Sequence, residues 1–225
     1  MICIIQARVN SQRLKNKMLK KINKEMIIEW VIKRCKKIKS VNKVVLAIPQ
    51  NKNQKKLISI GRKLECDIYQ GSENNLIKRY HEVLKKYKEN FFLRVCADNP
   101  FICPEEINHL IKFFKSKKLD YAYNHAPINN SYPDGIGAEI SNYNTIQKIM
   151  LNAKTKDQKE HVFNYLWQNF GKFRISTIEP KNKFLSKPFL KLDIDYFYQY
   201  EVFKKLKINS SMSTSEIIKK IIKSG

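Results

Sequence analysis

Short apolar runs alternate with amphipathic segments through the first half of this chain, and that alternation constrains the fold more than any other feature. Apolar runs fall at residues 2–5, 41–48, 66–69, 91–95 and 120–124. Between them, residues 26–37, 54–64, 75–87 and 104–115 carry apolar side chains at helical spacing. Strands regularly separated by helices predict an α/β fold, Rossmann-like, with a mostly parallel central sheet and helices on both faces. The later chain reads as a helix at 141–152 and a second at 155–170, opened by a capping box at Thr155 and Gln158. A strand at 173–178, a loop at 182–188, a strand at 190–195 and a helix at 196–206 follow. The tail, 213–225, has a capping box at Ser213 and Glu216, with Ile217, Ile218, Ile221 and Ile222 on one face. It is a packing helix, set on its own domain or on a second copy in a homodimer. At 225 residues the chain is read as one domain, 1–225.

The net charge of +24 raises the question of nucleic acid. The excess is nearly all Lys, spread from Lys15 to Lys223, whereas base readers lean on Arg. Lys, Asn and Ile are abundant together, the composition of an A/T-rich genome, and a solvated Lys coat is the preferred reading over a nucleic-acid-binding module. The cysteines Cys3, Cys35, Cys66, Cys96 and Cys103 are scattered, with no CxxC pair, so neither a zinc site nor a disulfide framework is indicated. No apolar run has the length to span a membrane, and the first run is too short for a signal peptide. The expected location is the cytoplasm.

The run 2–5 opens into a polar loop carrying Arg8, Asn10, Ser11, Arg13, Asn16 and Lys17. A strand that ends in a cationic loop before a helix is where open α/β sheets bind phosphate. The loop has no glycine, so it is neither a Walker loop nor a dinucleotide fingerprint. Side-chain cations must do the holding, and Asn10 and Asn16 are the residues suited to left-handed turns.

Carboxylates stand at two later places. Asp98 follows the strand 91–95, where such sheets place their chemistry, and an Asp there suits Mg²⁺. The less favoured alternative is an Asp that caps the turn before Pro100. In Leu192-Asp193-Ile194-Asp195, strand alternation puts Asp193 and Asp195 on one face. Like charges side by side repel unless a cation lies between them, so Asp98, Asp193 and Asp195 form the candidate metal set.

Ile5-Gln6-Ala7-Arg8, Ser11-x-Arg13-Leu14 and Lys17-x-Leu19 together resemble the opening of the sugar-activating cytidylyltransferases: the CMP-Kdo synthetases, the CMP-sialic acid synthetases and the spore-coat polysaccharide cytidylyltransferases. The resemblance implies a nucleotide-diphospho-sugar transferase-like fold. It also implies that Ala7, Arg8, Ser11, Arg13 and Lys17 surround the triphosphate of CTP. Residues 71–80 resemble the segment that passes beneath the cytidine, implicating Ser72 and Arg79. Tyr132-Pro133-Asp134-Gly135, followed by Glu139, is similar to the spore-coat branch, and it places Tyr132, Asp134 and Glu139 at the acceptor together with His161 of Glu160-His161-Val162. Two departures stand out: Ala97 replaces a family glycine before Asp98, and Gly137 stands where that branch carries an Asp.

The reaction so implied is Mg²⁺-dependent transfer of CMP from CTP to a sugar acid or polyol-like acceptor, with Lys17, Arg8 and Asp98 as catalytic residues. Asp193-Ile194-Asp195 is also a D-x-D, the metal motif of many nucleotide-sugar-dependent glycosyltransferases. Its place near the end of the chain, and the triphosphate-type loop at the start, favour the cytidylyltransferase reading.

Overall fold

The computed structural model describes residues 1–9, 11 and 13–224. Its strands are β1 (Ile2–Gln6), β2 (Lys21–Ile22), β3 (Glu25–Met26), β4 (Lys43–Pro49), β5 (Asp67–Gly71), β6 (Phe91–Cys96), β7 (Tyr121–Tyr123), β8 (Glu139–Asn142) and β9 (Ile175–Thr177). Its helices are α1 (Ile27–Cys35), α2 (Lys55–Lys63), α3 (Leu76–Tyr87), α4 (Pro104–Ser116), α5 (Tyr143–Asn152), α6 (Lys156–Glu160), α7 (Asn164–Gln168), α8 (Phe197–Lys205) and α9 (Thr214–Ser224). Seven strands form one sheet in the order β5-β4-β1-β6-β8-β7-β9, and β2 and β3 make a separate small hairpin. Only β8 runs against the others in that sheet. The mostly parallel α/β fold read from the sequence is therefore the observed one.

The central strands are apolar on both faces because both faces are covered. Cys3 and Ile5 of β1 pack with Val31, Leu57 and Leu110 on one side of the sheet. Ile2 and Ile4 pack with Tyr80, Val83 and Phe163 on the other. A third cluster joins Trp30 and Phe101 to Leu192, Ile194, Phe203 and the tail residues Ile217 and Ile218. The tail helix thus packs on its own domain. Arg34, buried in α1, clamps this region by donating to Ile102 O (2.7 Å), Met212 O (2.7 Å) and Thr214 Oγ1 (2.6 Å).

Three expectations are corrected. The helix placed at 141–152 begins only at Tyr143, because Glu139–Asn142 is a strand inserted between β6 and β7. Its Glu139 and Ser141 are buried, so a polar pattern hides a central strand. The helix placed at 155–170 has the expected capping box at Thr155 but stops at His161, whose backbone is extended (φ −124°, ψ 109°), and resumes as α7. Neighbours on one helix sit about 100° apart, and the break lets Val162 and Phe163 both enter the core, Phe163 lying 4.6 Å from the Tyr121 ring. The strand placed at 190–195 is an irregular segment with one bridge, Lys191 to Asp134. Its backbone partners are two loops: Leu192 N donates to Asp134 O (2.9 Å) and Ile194 N to Asp98 O (2.9 Å).

Glycine is needed at two places in this region. Gly135 has φ +90°, and a Cβ there would lie 2.5 Å from Asp193 N. A Cβ on Gly137 would lie 1.9 Å from Asn124 O, so close backbone approach explains why this chain has no Asp there. A Cβ on Gly171 would meet nothing within 4 Å. Gly137→Ala is expected to lower stability by about 1–3 kcal/mol through overpacking, and Gly171→Ala to leave it nearly unchanged. Urea denaturation of the two variants beside the parent protein reads the difference.

Candidate active site

The loop after β1 leaves the sheet at Ala7, whose N–H donates to Ala47 O (3.3 Å), and Val9 N–H donates to Gln54 Oε1 (3.1 Å). Asn16 takes the expected left-handed conformation (φ 55°, ψ 32°) and turns the chain into a short 3-10 turn, Lys17–Leu19. Asn10 lies outside the described residues. This turn drives Lys17 inward to 6% exposure. Its ammonium donates to Asp98 Oδ2 at 2.8 Å and to Asp195 Oδ1 at 2.9 Å. Arg13, well exposed, meets the other oxygen, Asp195 Oδ2, at 2.8 Å and lies over the Tyr196 ring. Three stretches distant in sequence therefore meet at the carboxyl edge of the sheet.

Burial alone would lower the pKa of Lys17, but Asp98 and Asp195 outweigh it and hold the ammonium above the ordinary lysine value. The expected repulsion among the aspartates is relieved by the chain's own cation. Asp195 is also not a helix cap: Gln199 Oε1 accepts from the N–H groups of Asp195 and Tyr196 (both 2.8 Å), leaving the Asp195 carboxylate for Lys17 and Arg13.

Asp193 does not join this group, because the segment is no strand and alternation does not apply. Its carboxylate lies 3.8 Å from Lys191, which also approaches Asp134 at 4.0 Å. Asp193 Oδ1 is buried without a hydrogen-bond partner among the described residues. Burial, then the nearby Asp134 charge, push the Asp193 carboxyl up to about 6. Among the described residues no set of three acidic, His or Cys side chains converges as a metal cage. The Asp98 and Asp195 carboxylates, bridged by an ammonium, remain a hard-oxygen pair suited to Mg²⁺, which takes one or two carboxylates beside substrate phosphates.

The other residues singled out from the sequence divide clearly. Arg8 is exposed and Ser11 half-buried on the same loop as Lys17. Arg79 is buried in α3 and donates to Ser72 O (2.6 and 2.9 Å) and Ala47 O (3.4 Å), while Ser72 Oγ accepts from Asn75 N–H (3.1 Å). These two brace the turn after β5 against the end of β4. Tyr132 is fully buried, its hydroxyl donating to Glu106 Oε2 at 2.5 Å. Glu106 also accepts from the N–H groups of Lys181 and Asn182, so Tyr132 supports the loop from inside and presents no surface to an acceptor. Glu139 is buried, ion-paired to Arg94 and accepting from Tyr121 Oη (2.7 Å). Burial would raise its carboxyl, but Arg94 outweighs that and holds it below the usual Glu value. His161 lines a cavity of about 260 Å³ with Glu139 and Arg94. Arg94 escaped the sequence reading, although a lone Arg inside the apolar run Phe92-Leu93-Arg94-Val95 was a visible signal.

The fold is of the nucleotidyltransferase type. The chain belongs to the cytidylyltransferase family, whose profile matches residues 2–222. It is 28% identical over 224 residues to the spore coat polysaccharide biosynthesis protein SpsF of Bacillus subtilis, covering 96% of this chain and 91% of that one. It is 29% identical over 205 residues to an uncharacterized protein of Methanocaldococcus jannaschii, covering 91% and 82%. A solved cytidylyltransferase from Leptospira borgpetersenii superposes with a TM-score of 0.90 at 23% identity, covering 99% of this chain and 94% of that one. The glycosyltransferase and nucleic-acid readings give way to this family.

The two aspartates of 193–195 are expected to respond oppositely. The Asp193 carboxyl titrates higher folded than unfolded, where it lies near 3.9; its charge therefore costs stability above about pH 6, and the cost fades as pH falls toward 4. Asp193→Asn should stabilise the protein by roughly 1–3 kcal/mol at pH 8 and by little at pH 4. Asp195→Asn should destabilise it by about 1–3 kcal/mol at pH 8, because buried Lys17 loses a charged partner. Melting curves across that pH range check both signs.

Proposed function

We propose that the protein transfers CMP from CTP to a hydroxyl-bearing acceptor and releases pyrophosphate. The observation that carries this reading is the buried Lys17 ammonium held by Asp98 and Asp195 beside the exposed Arg8 and Arg13. It is supported by the family and by the likeness to SpsF, whose name connects that relative with spore coat polysaccharide biosynthesis.

The chemistry follows from charge and position. An acceptor oxygen forms a bond to the α-phosphorus, the bond from that phosphorus to the α–β bridging oxygen breaks, pyrophosphate departs, and the acceptor proton passes to solvent. Such transfers depend mainly on alignment and charge neutralisation. A lysine ammonium has three donors, and Lys17 gives two to aspartates, leaving one for a phosphate oxygen. Arg8 and Arg13, at the open side of the loop, offset the charge that grows on the departing pyrophosphate. Asp98 and Asp195 would hold Mg²⁺, which when bound supplies further neutralisation of the triphosphate. The cytoplasm, where CTP is available, is the proposed place of action; among the described residues no helix is long and apolar enough to cross a membrane.

Pyrophosphate release is expected with CTP well above that with ATP or UTP, and to stop in excess EDTA. Lys17→Ala should lower it by roughly 10²–10³-fold, the usual cost of one charge-stabilising donor. Lys219→Ala, an exposed change in α9, should leave it unaltered. Equal rates for the two variants would remove Lys17 from the reaction.

A further inference from the structure

Helix α8 is apolar on both of its sides. Tyr200 and Phe203 face inward and are buried in the third apolar cluster. On the outer side Phe197 is 58% exposed, Tyr198 65% and Val202 49%. Scattered apolar side chains at a surface are ordinary, whereas a contiguous group marks a contact surface. These are contiguous. Tyr198 and Val202 are neighbours four positions apart on the helix. Tyr196, just before the helix, stacks on Tyr198 with ring centroids 5.8 Å apart. Tyr196 also directly follows Asp195 and lies under Arg13, so the patch begins at the rim of the charged site.

Cations border this patch. The β2–β3 hairpin packs beside α8: Tyr200 Oη donates to Lys21 O (3.1 Å) and Asn23 Nδ2 to Leu206 O (2.9 Å). The hairpin presents Lys21 and Lys24, and the end of α8 presents Lys205 and Lys207, all exposed. Among the described residues none of these four has a carboxylate within ion-pair distance. The two acids of the hairpin and helix are already answered. Glu25 is ion-paired to Lys33 and accepts from Ser210 N–H (3.2 Å), and Glu201 lies 3.4 Å from Lys204. Bare rings bordered by unanswered cations fit an occupant that is negative and apolar at once.

Three other occupants fit less well. A second copy of this chain in a two-fold contact sets the same patch against itself, and unpaired lysines would then face unpaired lysines. The centre of a protein interface is poor in Lys, yet exposed Lys205 stands about two turns along from Tyr198 on the same side of α8. Single-stranded nucleic acid stacks its bases on open ring faces. Here Tyr196 is already covered by Arg13 and Tyr198, Phe197 by Lys20, and Val202 offers no ring. Rings and lysines mixed on one helix face are what the headgroup level of a bilayer accepts, rings entering the acyl boundary and lysines meeting lipid phosphates.

We propose that the outer face of α8, with the β2–β3 hairpin, docks the protein onto an anionic lipid surface. Such docking lies on the bilayer and needs no spanning helix. It stands independently of the nucleotidyl-transfer reading. The probe is a set of vesicles of phosphatidylcholine, with and without phosphatidylglycerol, and the measurement is flotation of the full chain. The protein should float with the phosphatidylglycerol vesicles and not with phosphatidylcholine alone, and rising salt should release it. Phe197→Ser with Tyr198→Ser should weaken binding by roughly tenfold or more, the loss expected for two rings withdrawn from an apolar phase. Lys21→Glu with Lys205→Glu should weaken it comparably. Leu151→Ser, equally exposed but on α5, and Lys56→Glu, exposed on α2, should not. Tyr198→Trp keeps a ring and adds a reporter, whose emission should move to the blue when phosphatidylglycerol vesicles are added. Pyrophosphate release without vesicles should be unaltered in both double variants, so docking and chemistry are read separately. Flotation that ignores phosphatidylglycerol overturns the inference. So do a Tyr198→Trp emission that vesicles leave in place and a ring variant that floats like the parent, which would leave the Lys coat alone as the cause. A dimer in sedimentation that the ring variant abolishes overturns it in favour of a second copy, and a single-stranded RNA that binds the parent but not the ring variant overturns it in favour of nucleic acid.

Discussion

A lysine ammonium out of water is tolerable only when its charge is answered, and Lys17 is answered by Asp98 and Asp195 alone among the described residues. The rest of the site depends on that contact. It fixes the end of the loop after β1, the turn after β6 and the segment before α8 at a single point. The backbone repeats the tie, with Ile194 N–H donating to Asp98 O. Arg34 performs the same service deeper in the fold, joining α1 to the Ile102 carbonyl and to the segment leading into α9.

On the other side of the sheet centre, the antiparallel strand β8 brings Glu139 opposite Arg94 in register. That pair sits nearly out of water, and each charge is answered by the other. The loop between β7 and β8 begins and ends at the same sheet edge because its two strands are antiparallel neighbours. Glu106 and Tyr132 brace it from beneath, and Gly135 lets the 190–195 segment run close against it.

The central strands, the cationic loop and Asp98 were legible because each is announced locally, by an apolar run followed by a change to polar residues. What was not legible depends on partners far along the chain. Glu139 and Ser141 look like surface residues until β6 and β7 bury them. Alternation would pair Asp193 with Asp195, yet alternation holds only in a strand, and this segment bonds to loops. Val162 and Phe163 break a helix whose capping box and polar face gave no warning of it. The Tyr132 ring could have faced either way, and only buried Glu106 decides its direction. Arg94 was readable as an anomaly, but its meaning needed the strand beside it.

The order of the chain has a consequence for how the protein is made. Lys17 is synthesised 81 residues before Asp98 and 178 before Asp195. On the ribosome the β1–β4–β6 sheet centre has all its strands long before the second aspartate emerges. Through that interval the lysine has only one of its two carboxylate partners, and the third apolar cluster lacks Leu192, Ile194 and the tail. A nascent chain can thus complete its sheet centre while it still lacks this three-residue contact, which waits for residues 192–195 to emerge.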